Sequence, residues 1–170
     1  MNCQVGENVV IGHNTVIHAN TIIKDNVKIG CNCVVGSVGF GYEKDETGAY
    51  VFIPHIGNVI LEEFVEIGNC TTIDKAVMGS TILRKNVKVD NLVHIAHGVD
   101  IGENSLIIAN AMIGGSTKIG KNVWVAPSSS LINKIEIADD AIIGLGAVVT
   151  KSVNKGITVI GNPARPLEKR

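Results

Sequence analysis

A histidine, an aspartate and a glycine in the second half of the chain have residue types suited to acid–base chemistry. His97 stands in the stretch DNLVHIAHGVDIG, at a position predicted to face outward, and Asp90 precedes it in the same segment. A carboxylate that accepts the Nδ1 hydrogen of an imidazole fixes its tautomer and leaves Nε2 as a base. Gly115 follows further along the chain, and an unobstructed glycine amide can hold a developing oxyanion. On position alone, a solvated surface histidine is an equally good interpretation of His97.

A six-residue repeat determines which elements carry these residues. Aliphatic residues recur at every sixth position from Val5 to Val35, from Leu61 to Ile73 and from Leu83 to Val149. A period of six fits neither an α-helix nor a long alternating strand. It fits a short strand followed by a bend, so three sides close one coil and stacked coils form parallel strands. The aliphatic residues then face the inside of a triangular prism, and Gly115, three repeats after His97, is stacked directly above it.

The repeat resembles the hexapeptide-repeat left-handed β-helix, and the handedness is implied only by that resemblance, because parallel crossovers are normally right-handed. The predicted fold class is therefore all-β, a left-handed parallel β-helix over residues 1–150. The repeat is interrupted at about 39–55, which predicts a protruding loop, and a short cap is predicted at 151–170. Cys33 falls on an inward small-residue position and is predicted to fill the core.

Composition excludes several classes of protein. The 170 residues contain 46 Ile and Val but only seven Leu, and β-branched residues favour strands over helices. Fifteen Lys and Arg against sixteen Asp and Glu leave no basic excess for binding nucleic acid. No stretch has the features of a signal peptide or of a membrane span. The four cysteines form no CxxC pair, so we expect reduced thiols and a cytoplasmic location.

Several stretches are similar to the UDP-3-O-acylglucosamine N-acyltransferases of the lipid A pathway, namely GSVGFGY, IPHIG, EIGNCTTID, VKVDNLVHIAHGVDIGEN and IGGSTKIG. The resemblance covers residues 5–150. It implies that His97 is the general base, Asp90 its hydrogen-bond partner and Gly115 the oxyanion-hole amide. A second histidine of that family falls at Lys134.

The expected substrate-binding residues surround this base. The loop at 39–55 holds four of the six aromatic residues, and aromatic side chains outside a core usually contact a ligand or partner. Together with residues near His97, they give the candidates Phe40, Tyr42, His94, Asn133 and Lys134.

The C-terminal stretches IIGLGAVVTKSV and IGNPARP resemble acetyl-CoA-dependent acetyltransferases of the hexapeptide class. That resemblance implies that Ala147, Lys151 and Arg165 bind CoA as a co-substrate, with no tightly bound cofactor and no metal. Only six residues follow Ala164, where the carrier-protein enzymes have a helical extension. We therefore expect acetyl-CoA or another short acyl-CoA as the donor, with hydroxyacyl carrier protein as the alternative.

The predicted function is an N-acyltransferase that acylates the amine of a nucleotide-linked amino sugar for surface glycan or lipopolysaccharide synthesis. A flat prism face offers no concavity, so we expect a homotrimer with sites between neighbouring prisms. Two alternatives of other classes stay open. One is a non-catalytic trimeric scaffold, and the other is a zinc protein like the γ-class carbonic anhydrases, suggested by His13 and His18.

Overall fold

The computed structural model describes residues 2–167 and consists of strands and turns, with no helix in that part of the chain. Three parallel sheets form the sides of a prism. Sheet 1 contains β1 (Gln4–Val5), β4 (Ile22–Ile23), β9 (Asn58–Leu61), β12 (Ser80–Leu83), β15 (Asp100–Ile101), β18 (Lys118–Ile119) and β21 (Glu136–Ile137). Sheet 2 contains β2 (Val10–Ile11), β5 (Lys28–Ile29), β10 (Glu66–Ile67), β13 (Lys88–Val89), β16 (Leu106–Ile107), β19 (Trp124–Val125), β22 (Ile142–Ile143), β24 (Thr158–Ile160) and β25 (Arg165–Pro166). Sheet 3 contains β3 (Val16–Ile17), β6 (Val34–Val38), β11 (Thr72–Lys75), β14 (His94–Ile95), β17 (Met112–Ile113), β20 (Ser130–Leu131) and β23 (Val148–Val149). The chain visits the three sheets in rotation, so the predicted β-helix is confirmed.

The core is the ladder of aliphatic residues that the six-residue repeat predicts. Leu83, Ile101 and Leu131 are fully buried, and Cys33 is buried among them as expected. Buried hydroxyl groups join successive coils, since Ser105 Oγ donates to Gly120 O at 2.9 Å and Thr117 Oγ1 donates to Ile132 O at 3.1 Å. These small polar residues therefore satisfy backbone carbonyls that the bends leave exposed inside the prism.

The bends depend on residues in the left-handed backbone region. Within residues 2–167, nine of the sixteen non-glycine residues with positive φ are asparagine, which tolerates this conformation better than most residues. The left-handed residue donates its N–H one coil back, as Ser116 N does to His97 O at 2.8 Å. Each bend thus closes a corner and joins two coils.

Two coils are longer than the rest. Val34 pairs with Thr72, and Thr72 pairs with His94, so both coils contain more residues than the regular coil in which His94 pairs with Met112. The longer insertion contains the antiparallel hairpin β7 (Tyr42–Lys44) and β8 (Tyr50–Phe52), which lies outside the three sheets. The expected protruding loop is therefore a hairpin, and both ends of the 39–55 segment, Gly39 and His55, are buried.

The two ends of the prism differ. Val5 and Ile11 of the first coil are exposed, because no described coil lies beneath them, although the repeat predicts them to face the core. At the other end, β24 continues sheet 2 in parallel and β25 pairs with it antiparallel. No helix in residues 2–167 has the length and apolar character needed to cross a membrane.

Candidate active site

His97 lies at the corner where the chain passes from sheet 3 to sheet 1. The strand β14 ends at Ile95, and the turn that follows places the imidazole beneath Gly115 of the next coil. A Cβ atom at residue 115 would lie 2.8 Å from both Cε1 and Nε2 of His97. Only glycine therefore leaves room for the ring, and the two residues stack as the repeat predicts. We call residues 96–98, 114–116 and 132–134 the His97 corner.

The Gly115 amide is a free donor beside the imidazole. At some other bends the equivalent amide donates to a side chain of the next coil, as Cys31 N does to Asn69 Oδ1 and Lys121 N does to Asp139 Oδ1, both at 2.8 Å. The N–H of Gly115 has no acceptor within residues 2–167. A backbone donor next to a ring nitrogen is the arrangement needed to stabilise an oxyanion.

Asp90 does not contact His97, so the sequence-based pairing of these two side chains is wrong within one chain. Asp90 follows sheet 2, whereas His97 follows sheet 3, and a full side of the prism separates their corners. Asp90 Oδ1 accepts from Asn91 N at 2.7 Å, and Oδ2 accepts from Ala109 N at 3.3 Å. The carboxylate of Asp90 therefore joins its own bend to the bend one coil above.

The carboxylate near His97 belongs to Asp74. A bulge between β6 and β11 shifts the register after Ile73, so that Asp74 pairs with Ser37 and Gly36 has no partner. Gly36 has a φ of 85°, which glycine adopts without strain. Asp74 is 7% exposed and accepts a hydrogen bond from Ser37 Oγ at 2.7 Å. Sequence analysis missed Asp74, because the period gives no indication of a bulge.

His94 lies beside the same carboxylate. Its Nδ1 is 2.8 Å from Thr72 Oγ1, and its Nε2 is 3.8 Å from Asp74 Oδ2. His94 therefore lies in a polar wall with Asp74 and forms an ion pair with it only when it is protonated, and its role in binding substrate stays a prediction.

His55 is a second residue that sequence analysis did not assign. It is 5% exposed and its Nδ1 lies 2.8 Å from Ile53 O. Because a carbonyl only accepts hydrogen bonds, Nδ1 carries the hydrogen and Nε2 is a bare acceptor. That Nε2 is buried and has no partner within residues 2–167. Leaving such an acceptor unpaired costs about 1–3 kcal/mol, so the atom requires an explanation.

Aromatic rings connect the hairpin to the base. The ring centroids of Phe40 and Tyr42 are 5.0 Å apart, those of Tyr42 and Phe52 are 5.6 Å apart, and those of Phe52 and His55 are 5.9 Å apart. The last step is His55 to His97, at 5.3 Å. The hairpin candidates Phe40 and Tyr42 are therefore linked to the site by an unbroken series of rings.

A cavity of about 410 Å³ lies under the hairpin. Its wall contains Val38, Gly39, Phe40, Tyr42, Phe52, Asp74 and His94. One side is aromatic, and the other carries a carboxylate and an imidazole. Such a cavity suits a ligand that has both an apolar or ring face and polar groups.

Asn133 and Lys134 lie one coil above Gly115. The N–H of Lys134 donates to Gly115 O at 2.9 Å, and the backbone of Asn133 packs against Gly114. Both side chains are exposed. The structure thus places these two candidates at the His97 corner, with the Lys134 charge close enough to influence His97.

The surroundings lower the pKa of His97. Burial is the largest cause, a charge on His55 or on Lys134 acts in the same direction, and the Asp74 carboxylate partly opposes them. Neither ring nitrogen of His97 is hydrogen-bonded within residues 2–167. Because the ordinary histidine pKa is about 6.5, His97 is neutral at pH 7.5 and able to accept a proton.

The C-terminal candidates separate into two groups. The side chain of Ala147 is fully buried in the core, so only its backbone could meet the pantetheine arm of CoA, and that role stays a prediction. Lys151 and Arg165 both line a cleft of about 170 Å³, together with Val149, Thr150, Ser152, Val153, Val159, Ala164 and Pro166. These two cations lie on the same side of the last coil.

His13 and His18 lie at bends of the first coil and are exposed. Residues 2–167 contain no group of three His, Cys, Asp or Glu side chains placed to hold a metal ion. The structure thus gives the zinc alternative no ligand set within the described part of one chain.

Comparison with known proteins supports the repeat and the fold. Residues 2–37 match the family described as bacterial transferase hexapeptide (six repeats). A UDP-3-O-acylglucosamine N-acyltransferase of Campylobacter lari is 46% identical over 137 residues, which is 81% of this chain and 43% of that protein. A protein of the same name from Christiangramia forsetii is 55% identical over 85 residues, or 50% of this chain and 25% of that protein.

The chain thus spans less than half the length of these relatives. Among solved structures, a UDP-N-acetylglucosamine acyltransferase of Francisella novicida has a TM-score of 0.77 at 22% identity, covering 97% of this chain and 61% of that one. At this identity the likeness concerns the fold alone. Residues 2–37 thus match a hexapeptide-repeat family, and the chain, a β-helix, is similar to UDP-3-O-acylglucosamine N-acyltransferases over less than half of their length.

Proposed function

We propose that the chain is an N-acyltransferase that transfers an acyl group from a thioester to the amine of a nucleotide-linked amino sugar. The observation that carries the proposal is the imidazole of His97 directly beneath Gly115, whose amide is free. The names of the similar proteins support the reaction class and the acceptor. The cavity under the hairpin, with one aromatic and one polar wall, supports a sugar nucleotide as a ligand.

The proposed reaction needs one base and one oxyanion donor. The amine nitrogen attacks the thioester carbon, and Nε2 of His97 takes the proton that the amine loses. The carbonyl oxygen becomes an oxyanion that accepts a hydrogen bond from Gly115 N–H. The C–S bond then breaks, and the thiolate leaves with ease because thiols have a pKa of about 8.5. The proton on His97 passes to that thiolate, which regenerates the neutral base.

Replacing His97 tests this function. We expect His97→Ala to lower kcat by at least about 100-fold with little change in KM, the scale of a lost general base. His13→Ala is the matched control, because that histidine is exposed on the first coil. Acyl transfer to a panel of nucleotide-linked amino sugars is the measurement. Equal turnover of the two variants would remove His97 from the mechanism.

We propose acetyl-CoA or another short acyl-CoA as the donor, with hydroxyacyl carrier protein as the competing donor. The support is the cleft between Lys151 and Arg165, which has two cations for the phosphates of CoA. Turnover with the two donors at equal concentration distinguishes them. A preference for the carrier protein above about tenfold, or 1.4 kcal/mol, would reject the CoA proposal.

We also propose a homotrimer in which neighbouring prisms complete each site. The exposed hairpin supports this arrangement, because Phe40 and Tyr50 are 88% and 71% exposed and can reach a second copy. Mixing His97→Ala chains with Phe40→Ala chains should restore part of the activity, since each contributes what the other lacks. A monomer in light scattering would contradict the proposal.

The free thiols of Cys3, Cys31, Cys33 and Cys70 support a proposed cytoplasmic location.

A further inference from the structure

The buried acceptor of His55 faces the same space as His97. A point beside Gly39, where a Cβ atom would be, lies 2.9 Å from His55 Nε2, 3.1 Å from His97 Cβ and 3.2 Å from His97 Cδ2. The two ring planes meet at 82°, edge against face. The bare nitrogen of His55 and the Cδ2 edge of His97 therefore flank one glycine.

The position of His55 is tightly fixed. Its Nδ1 is bonded to Ile53 O, and Phe52 stacks on its ring at 17°. A Cβ atom at Gly41 would lie 2.8 Å from its Cε1, so the base of the hairpin closes around it without spare room. The imidazole consequently cannot turn to exchange its two nitrogens, and the negative end of its dipole stays on the Nε2 side.

We propose that His55 is a positioning residue for the acyl transfer proposed above: its bare Nε2 stabilises the imidazolium that His97 forms when it accepts the amine proton. The acceptor is unpaired while His97 is neutral. It gains a favourable interaction when the neighbouring ring becomes a cation, so the gain occurs in the transition state and not in the resting enzyme. Buried strain or unsatisfied groups at a site often have this use.

Charged and titratable groups face His97 from three elements. His55 lies on the hairpin side, Asp74 on the neighbouring strand β11, and Lys134 on the bend one coil above. Asp74 favours the imidazolium and Lys134 opposes it. An uncharged His55 whose bare Nε2 faces His97 would favour the imidazolium of His97, as Asp74 does. A positively charged His55 would oppose the imidazolium, as Lys134 does. The two states of His55 thus predict opposite effects of its removal.

Three substitutions of His55 distinguish the role of its Nε2 acceptor from the role of its ring in packing. His55→Asn keeps a donor for Ile53 O and loses the acceptor at Nε2. His55→Phe keeps the ring packed against Phe52 and His97 and also loses the acceptor. His55→Gln places an amide oxygen near the lost nitrogen. We expect kcat to fall about tenfold in the first two variants with KM unchanged, and His55→Gln to recover at least a third of the wild-type value.

The pKa of His97, followed by NMR of the ¹⁵N-histidine-labelled chain, gives a readout that does not need activity. His97→Ala identifies its signal. We expect this pKa to be lower in His55→Asn and His55→Phe than in the wild type, because the imidazolium has lost its acceptor. The acid limb of kcat/KM should move to lower pH by the same amount, and thermal melting of each variant checks that it is folded.

The possible results are distinct. An unchanged or raised pKa of His97 in His55→Asn and His55→Phe would overturn the role of His55, and so would a kcat within threefold of the wild type in either variant. If the wild type transfers no acyl group from any donor, the proposed function fails. The NMR titration then still decides whether His55 stabilises the charged form of His97.

Discussion

The regular coils from Leu83 to Val149 and the irregular coils from Gly36 to Leu83 are built from the same repeat but contain different chemistry. In the regular part, bends recur at a constant spacing and some corner amides donate to a side chain, as Lys121 N does to Asp139 Oδ1. In the irregular part, a bulge, a hairpin and a second, shorter extension bring Asp74 and His55 against His97. The regular coils carry His97 and Gly115, and the departures from regularity add Asp74 and His55 beside them.

Within the regular part, two glycines, Gly102 and Gly115, differ in what surrounds them. A Cβ atom at Gly102 would lie against the backbone of Gly120, whereas the three atoms nearest a Cβ atom at Gly115 all belong to the His97 ring. We expect Gly115→Ala to keep its melting temperature within a few degrees but to lower kcat about 10- to 100-fold, since it displaces the base and crowds the free amide.

Gly102→Ala should have the opposite effect. Its added methyl group meets backbone that cannot move aside, so the melting temperature should fall while the folded fraction keeps its kcat. Thermal melting and turnover of both variants are the measurements. If Gly115→Ala keeps the wild-type kcat, catalysis at the His97 corner requires neither the glycine nor the present position of the His97 ring.

Asp74 of the irregular part and Asp90 of the regular part test the comparison between the two regions. Asp74 in the irregular part raises the pKa of His97, so Asp74→Asn should lower that pKa and lower kcat about tenfold. Asp90 serves a bend of its own chain, so Asp90→Asn should change kcat by less than threefold. The pH dependence of kcat/KM, measured for both variants, shows which aspartate affects the pKa of His97. A larger loss in Asp90→Asn would place Asp90 in the site of a neighbouring prism.

The pH dependence of kcat/KM of the wild type should show a smaller effect, a shift of its acid limb to lower pH. Burial lowers the pKa of His97, so the base remains neutral below the ordinary histidine pKa of about 6.5. We expect the acid limb of kcat/KM to be centred below pH 6.5. Folding stability that depends on His97 is likewise present above pH 6.5 and lost as pH falls through the lowered value. An acid limb centred above pH 6.5 would contradict the assignment.

The smallest expected effect concerns the outer face of sheet 1. Arg84 donates to both oxygens of Asp100 at 2.9 and 2.8 Å and lies 3.3 Å from Glu62, with its side chain 39% exposed. Partly exposed ion pairs of this kind contribute about 0–1 kcal/mol. Arg84→Ala should therefore lower the free energy of unfolding by no more than about 1 kcal/mol, with kcat unchanged. Denaturant unfolding measures the first and the acyltransfer assay the second.

The sequence predicted the fold well because a six-residue period leaves few alternatives. Aliphatic side chains at every sixth position can be buried together only if each side of the coil is one short strand and a bend. The same arithmetic placed Gly115 above His97, since residues three repeats apart stack in regular coils. The prediction for Asp90 failed, because Asp90 was expected to contact His97 on the ground that the two residues are close in sequence.

The sequence by itself determined the prism, its core ladder and the position of His97 beneath Gly115. Only the tertiary structure decided which carboxylate and which second imidazole surround that base. Asp74 faces the site because of the bulge at Gly36, and His55 reaches His97 because the hairpin folds back on its own base. A period specifies contacts between residues a fixed number of positions apart. Contacts across an insertion depend on how the inserted segment closes, which no spacing in the sequence records.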